Sequence, residues 1–253
     1  MYRTRFVCLC MLISISLCSA TSAKLTHRYS FKADGKDSAG NVDAKLNGPA
    51  KIADGKVDLS NENVSSSDGQ VAFVEFGAPV LPEKSSTTLM IWFTAKKESG
   101  DFTRLVNIGD HENGEGRAFI YITPHTSGGN ARGAISATDT QGRIFVDSDP
   151  LDDDAEHVMA VVIDGDAKKL RLFVDGKEKS GAEDLGENTL DKVRQVDRWL
   201  GKSSFDTDTA YTGQINEFRV YDHALSPDEV SAAFDAGADA LPAAPATQPT
   251  SKP

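Results

Sequence analysis

The spacing of apolar residues constrains this chain more than any other feature. From Lys24 to about Tyr221 they gather in short β-favouring runs separated by Gly, Asp, Asn and Ser, with almost no helical periodicity. THRYSF, KVDLS, QVAFVEF, TTLMIWFTA, RLVNIG, RAFIYIT, GAISAT, RIFVD, HVMAVVID, LRLFVDG, DRWLG and QINEFRVY read as strands. Each has one greasy face to bury, and many short strands with turn signals between them bury those faces by packing sheet on sheet. The expected fold is all-β, a two-sheet antiparallel sandwich. Asp and Gly in IDGD and VDGK suit the reversals, because they tolerate positive φ or bond back to the backbone.

Alternation along the strands assigns faces. In TTLMIWFTA, Leu89, Ile91 and Phe93 share one side and Met90 and Trp92 the other. In RAFIYIT, Ala118, Ile120 and Ile122 oppose Phe119 and Tyr121, and in LRLFVDG, Leu170, Leu172 and Val174 oppose Arg171 and Phe173. The aliphatic faces meet between the sheets, since removing their methyl surface from water is the main driving force available. Trp92, Phe119, Tyr121 and Phe173 are then left on outer faces. Open to solvent they form a platform for stacking sugar rings; covered by loops they form a second small core.

One helix is expected, after Tyr221. Ser226 caps it, Pro227 takes its first position and Glu229 completes a capping box. Val230, Ala233 and Phe234 fall on one face and Gly237 ends it, which describes a short amphipathic lid on the sandwich.

The ends differ from the body. Arg3 and Arg5 precede an apolar run from Phe6 to Cys18 and small residues at Thr21 and Ala23, the order of a secretory signal peptide over residues 1–23. The run of about 13 residues is shorter than a membrane helix requires. A secreted or periplasmic product is expected, with a single domain over residues 24–240. All three cysteines, Cys8, Cys10 and Cys18, lie in that leader, which leaves the mature chain without disulfides or thiolate metal ligands. The formal charge is −11, and loss of Arg3 and Arg5 makes it more negative. Such a surface repels nucleic acid and anionic membranes and attracts hard cations such as Ca²⁺. Residues 241–253, rich in Pro, Ala and Thr, read as a disordered tail.

HRYSFKADGKDSAG, LMIWFTA, HVMAVVIDGDAKKLRLFVDGKE and TGQINEFRVYDHALSPDEV together resemble the successive motifs of concanavalin A-like, laminin-G-like jelly-roll domains, from about His27 to Phe234. The resemblance implies a jelly-roll sandwich that is usually a non-catalytic binding module for carbohydrate or a glycosylated surface. It also implies Ca²⁺ near the first and last strands, with Asp37, Asn41, Asn216 and Glu217 at the matching positions. Relatives often carry consecutive acids where this chain has Asn216 before Glu217, so one formal charge is missing. A glycoside hydrolase or lyase on the same scaffold, and a structural protein-interaction module of the cell envelope, are the alternatives.

Simple alternation puts Glu217 beside Ile215, Arg219 and Tyr221, where an ordinary surface contact with Arg219 is the leading reading, ahead of a Ca²⁺ ligand or a catalytic acid. A glycosidase needs two converging carboxylates. Asp152, Asp154 and Glu156 have the right parity, but Pro150, Asp153 and Ala155 suit a solvated acidic loop better. Asp110, Glu112 and Glu115 in GDHENGEG read as a cation loop or a polar hairpin tip. His157 opens a strand and reads as structural. No nucleophile elbow, phosphate-binding Gly loop or dinucleotide fingerprint occurs.

Overall fold

The computed structural model describes residues 24–97, 100–179 and 181–242; the expected leader and positions 243–253 of the expected tail lie outside them. In chain order the first strands are β1 (Leu25–Tyr29), β2 (Ala44–Asn47), β3 (Lys51–Ala53), β4 (Lys56–Leu59), β5 (Phe73–Phe76) and β6 (Thr87–Ala95). The middle of the chain supplies β7 (Val106–Glu112), β8 (Glu115–Thr123), β9 (Ala131–Ile135), β10 (Ile144–Ser148) and β11 (Glu156–Asp164). The last are β12 (Lys169–Val174), β13 (Lys177–Glu178), β14 (Glu183–Asp184), β15 (Asp197–Leu200) and β16 (Gly213–Tyr221), followed by helix α1 (Pro227–Ala236).

They form two antiparallel sheets. The nine-stranded sheet runs β13-β12-β11-β6-β16-β4-β3, with β1 also on β16 and β14 on β12; the seven-stranded sheet runs β10-β9-β8-β7-β15-β5-β2. This is the expected sandwich with its single short C-terminal helix.

The aliphatic faces meet as alternation requires. Leu89, Ile91, Phe93, Ile120, Ile122, Leu170, Leu172 and Val174 lie in one buried cluster between the sheets, with Tyr29, Phe76 and Phe218 filling one end. Full burial of each such side chain contributes on the order of 1.5–3 kcal/mol. The sheets approach closely at Gly133, where an added Cβ would sit 2.4 Å from a Val161 methyl carbon. Ala118 departs from its assigned face: β8 bulges opposite Gly109, Ala118 takes φ 41° and leaves the inter-sheet cluster.

Local chemistry explains the reversals. Asp175-Gly176 in VDGK and Asn113-Gly114 in HENG both have positive φ at two successive residues, the type I′ geometry whose twist matches the flanking strands. In IDGD the Asp164 carboxylate instead accepts from the amides of Asp166 and Ala167, at 3.1 and 2.9 Å. Helix α1 begins with the expected capping box, Ser226 accepting from the Glu229 amide at 3.3 Å and Glu229 from the Ser226 amide at 2.8 Å.

One irregularity decides the faces of β16. Ile215 pairs with Phe93 and Glu217 with Trp92, so Asn216 is an extra residue in the ladder. Past that bulge, Phe218 and Val220 face the inter-sheet core together with Ile215, while Glu217 and Arg219 lie on the outer face, over Trp92. The expectation that Ile215 shares a face with Glu217 is corrected accordingly.

Candidate functional site

The four rings expected on outer faces are there, but neither pair is open. Trp92 is 2 % exposed, Phe173 1 %, and Phe119 and Tyr121 0 %. On the nine-stranded sheet, Trp92 and Phe173 join Met90, Val162, Tyr221, Leu225, Val230 and Ala233 in a second apolar cluster beneath α1. The Arg219 guanidinium lies 4.3 Å from the Trp92 ring centre. On the seven-stranded sheet, Phe119 and Tyr121 sit under Phe205, from the 201–212 loop, and Arg104. The expectation of an exposed stacking platform on these four residues is therefore corrected. Alternation placed them outside the main core, and the helix and the loop then roofed them.

The positions matched to a metal site are occupied by the protein's own donors. Glu217 is fully buried; Oε1 accepts from Arg28 Nε at 2.8 Å and from Arg219 Nε, and Oε2 from Arg28 Nη2 at 3.1 Å and from the Asp239 amide. Burial alone would push its carboxyl up, but the bonds from Arg28 and Arg219 hold it below the usual carboxylate range. The surface-contact reading is corrected: this is a buried charge between two guanidinia. Asp37 takes the amides of Arg28, Ala39 and Gly40 on Oδ1, and the Val42 amide with His27 Nδ1, at 2.6 Å, on Oδ2. Asn216 donates to Glu156 at 3.0 Å, and Asn41 is exposed in the loop after β1. Cationic and N–H donors fill the carboxylate oxygens of Glu217 and Asp37 that Ca²⁺ would need, and among the described residues no three His, Cys, Asp or Glu converge as a metal site. These residues do not fit a calcium ion.

The remaining acids also have separate partners. Glu156 binds Lys56 at 2.7 Å, Asp154 accepts from the Lys97 amide at 3.2 Å, and Asp152 lies 3.6 Å from His125. Glu112 and Glu115 sit at the exposed tip of the β7–β8 hairpin, and Asp110 pairs with Arg194. His157 bridges Asp175 and Asp153, at 2.9 and 3.1 Å, as a clamp at the start of β11.

The rings that do reach solvent are others. Across the seven-stranded sheet, pairing sets Glu75, Trp199, Asn107, Tyr121, Ala134 and Phe145 in one line on the outer face. Trp199 is partly exposed, packs edge-on against half-buried Phe73 at 6.0 Å, and shares with it the Lys202 ammonium, 4.7 Å from each ring. His111 lies 6.4 Å from Trp199. Buried Asp197 holds its Nδ1 at 2.9 Å, and Ser204 and Asn107 continue the chain of bonds behind it. An indole face from β15, an Asp197-held imidazole from β7 and an ammonium from the loop after β15 thus stand together. At the other end of the line Phe145 is 38 % exposed. DRWLG was legible as a strand, and its parity could have placed Trp199 outward; which end of the face stays open depends on the 201–212 loop.

Residues 67–231 match Laminin_G_3, a family of the concanavalin A-like lectin/glucanases superfamily. The chain belongs to that superfamily. A search of curated proteins by sequence returns no match. Among solved structures it is similar to domain 4 of AbnA, a GH43 extracellular arabinanase from Geobacillus stearothermophilus, in complex with arabinotriose (19% identity, TM-score 0.61, 83% of this chain and 97% of that one). It is also similar to the CBM40 of the Ruminococcus gnavus IT-sialidase bound to α2,3-sialyllactose (20% identity, TM-score 0.51, 58% and 81%). A third is the receptor binding domain of the botulinum neurotoxin C/D mosaic serotype (13% identity, TM-score 0.62, 85% of this chain), of which the chain spans 51%. At these identities the likeness is one of fold.

Proposed function

We propose that this member of the superfamily is an exported, non-catalytic carbohydrate-binding module that binds through the outer face of its seven-stranded sheet. The observation that carries the reading is the partly exposed Trp199, held on β15 beside Phe73, Lys202 and the Asp197-fixed His111. A flat apolar ring ringed by a few fixed polar groups is what a sugar requires, since its C–H face stacks and its hydroxyls need oriented partners. The sugar-bound modules of similar fold support it, as does the leader-like order of residues 1–23. Calcium forms no part of the proposal.

A glycan array tests it. The chain should retain at least one oligosaccharide ligand, and Trp199→Ala should weaken that binding about tenfold or more, the equivalent of roughly 1.4 kcal/mol, with near-UV circular dichroism unchanged. Equal binding by Trp199→Ala would move the site elsewhere. Hydrolysis of the bound glycan would instead favour an enzyme, and an array without any response a protein-binding module. Mass spectrometry of the exported product, with Lys24 as its first residue, tests the leader.

A further inference from the structure

Beyond Trp199, the same outer face gathers three arginines around one tyrosine. The Arg104 guanidinium carbon stands 3.7 Å from the Tyr121 ring centre and that of Arg143 5.9 Å, while Arg132 lies beside the Tyr121 hydroxyl. Arg132 and Arg143 also approach the exposed Phe145 ring, at 3.7 and 5.3 Å.

The charges do not balance. Arg104 pairs with Asp208 at 3.0 Å, and Arg132 forms a bidentate pair with Asp147 at 2.6 and 2.8 Å. Half-exposed Arg143 has no carboxylate within ion-pair distance among the described residues; Asp208, which acts on it from further away, is already committed to Arg104. Three buried polar atoms here also lack a hydrogen bond of ordinary geometry: Tyr121 Oη, Arg104 Nη1 and Arg143 Nε. Arg104 itself is 2 % exposed. Donors kept from water without an acceptor are costly; buried Arg219 Nη1 and Tyr221 Oη share that state under the helix, but here one of the guanidinia, that of Arg143, also reaches the surface, where an acceptor from outside can meet it. Next to the Arg132–Asp147 pair opens a polar cavity of about 420 Å³, lined by Asn130, Asp147, Ser148, Asp149 and Lys179.

We infer that this cluster recognises the anionic group of an acidic sugar, a uronate carboxylate or a sulfate ester, with Arg143 and Arg132 as its contacts and Arg104 and Tyr121 as positioning residues. A guanidinium presents paired N–H donors that match either anion. The formal charge of −11 does not oppose this, because at physiological salt it is screened beyond about 8 Å while a direct contact acts at about 3 Å. The assignment rests on the carbohydrate reading above and adds the class of sugar.

The test is titration of the whole chain with galactan, oligogalacturonate and chondroitin sulfate oligosaccharides of matched length, at low and high salt. An acidic member should bind about tenfold more tightly than galactan at low salt, with the advantage shrinking as salt rises; the two acidic arms tell carboxylate from sulfate. Arg143→Ala should abolish the advantage and leave galactan binding and the near-UV spectrum unchanged, while Arg143→Lys keeps part of it. Equal affinity for neutral and acidic sugars, or an advantage that survives Arg143→Ala, overturns the assignment and leaves the Trp199 reading standing. No binding to any of the three overturns the assignment, while the Trp199 reading stands or falls with the glycan array.

Discussion

The two outer faces of the sandwich are closed by different means. On the nine-stranded sheet, a capped helix lies over Trp92 and Phe173, and buried Glu217 pairs with both Arg28 and Arg219, although Arg219 Nη1 and Tyr221 Oη there also lack a hydrogen bond of ordinary geometry. On the seven-stranded sheet an irregular loop covers the centre of the face, leaving Trp199 and Phe145 partly open and Arg143, among the described residues, without a carboxylate at ion-pair distance. A roof that buries both of its rings stabilises; the roof that leaves aromatic edges and a partly exposed guanidinium is the one proposed to recognise sugar. On the proposed reading, the same residue type, an outward tryptophan, has opposite roles on the two faces.

That contrast can be broken most forcefully at Trp92. Trp92→Ala removes a buried indole from under α1 and should cost about 3–5 kcal/mol in urea unfolding, with glycan binding unchanged while the chain is folded. Loss of binding without loss of stability would reverse the assignment of the two faces. Glu217→Gln leaves two guanidinia facing a neutral amide and should cost roughly 3 kcal/mol. Its pH dependence has a definite sign. The folded carboxyl titrates below its ordinary value of 4.5, so its contribution is complete above that value and drains away as pH falls below it. Acid unfolding of wild type and Glu217→Gln should therefore converge at low pH; a constant gap down to pH 2 would argue against it.

Smaller effects sharpen the comparison. Ser226→Ala deletes the cap that fixes the helical roof and should cost about 1 kcal/mol, again without touching sugar affinity. Trp199→Ala should change stability least, by about 0.5 kcal/mol as for partly exposed positions generally, yet change affinity most. Ranking the four variants by stability and then by binding should give opposite orders at the two tryptophans.

Much of the architecture was legible in alternation, turn chemistry and the capping box, because these are local. The inner face of Leu89, Ile91 and Phe93 follows from a period of two, and the reversal at VDGK from the positive φ that Asp and Gly accept. The site was less legible. Trp92 and Tyr121 were placed on the correct sides of their strands, but what covers them arrives from α1 and the 201–212 loop, far away in sequence. Glu217 was misread for two reasons: a bulge is invisible to simple alternation, and its partner Arg28 is separated from it by 189 positions.

Asn216 works as a phase shifter in the last strand. Deleting that single residue would join Ile215 directly to Glu217, and plain alternation would then keep Glu217 and Arg219 outside and Phe218 and Val220 in the methyl-lined interior. The position should accept many side chains and also the loss of the residue, a tolerance that a scan of substitutions alone would never reveal.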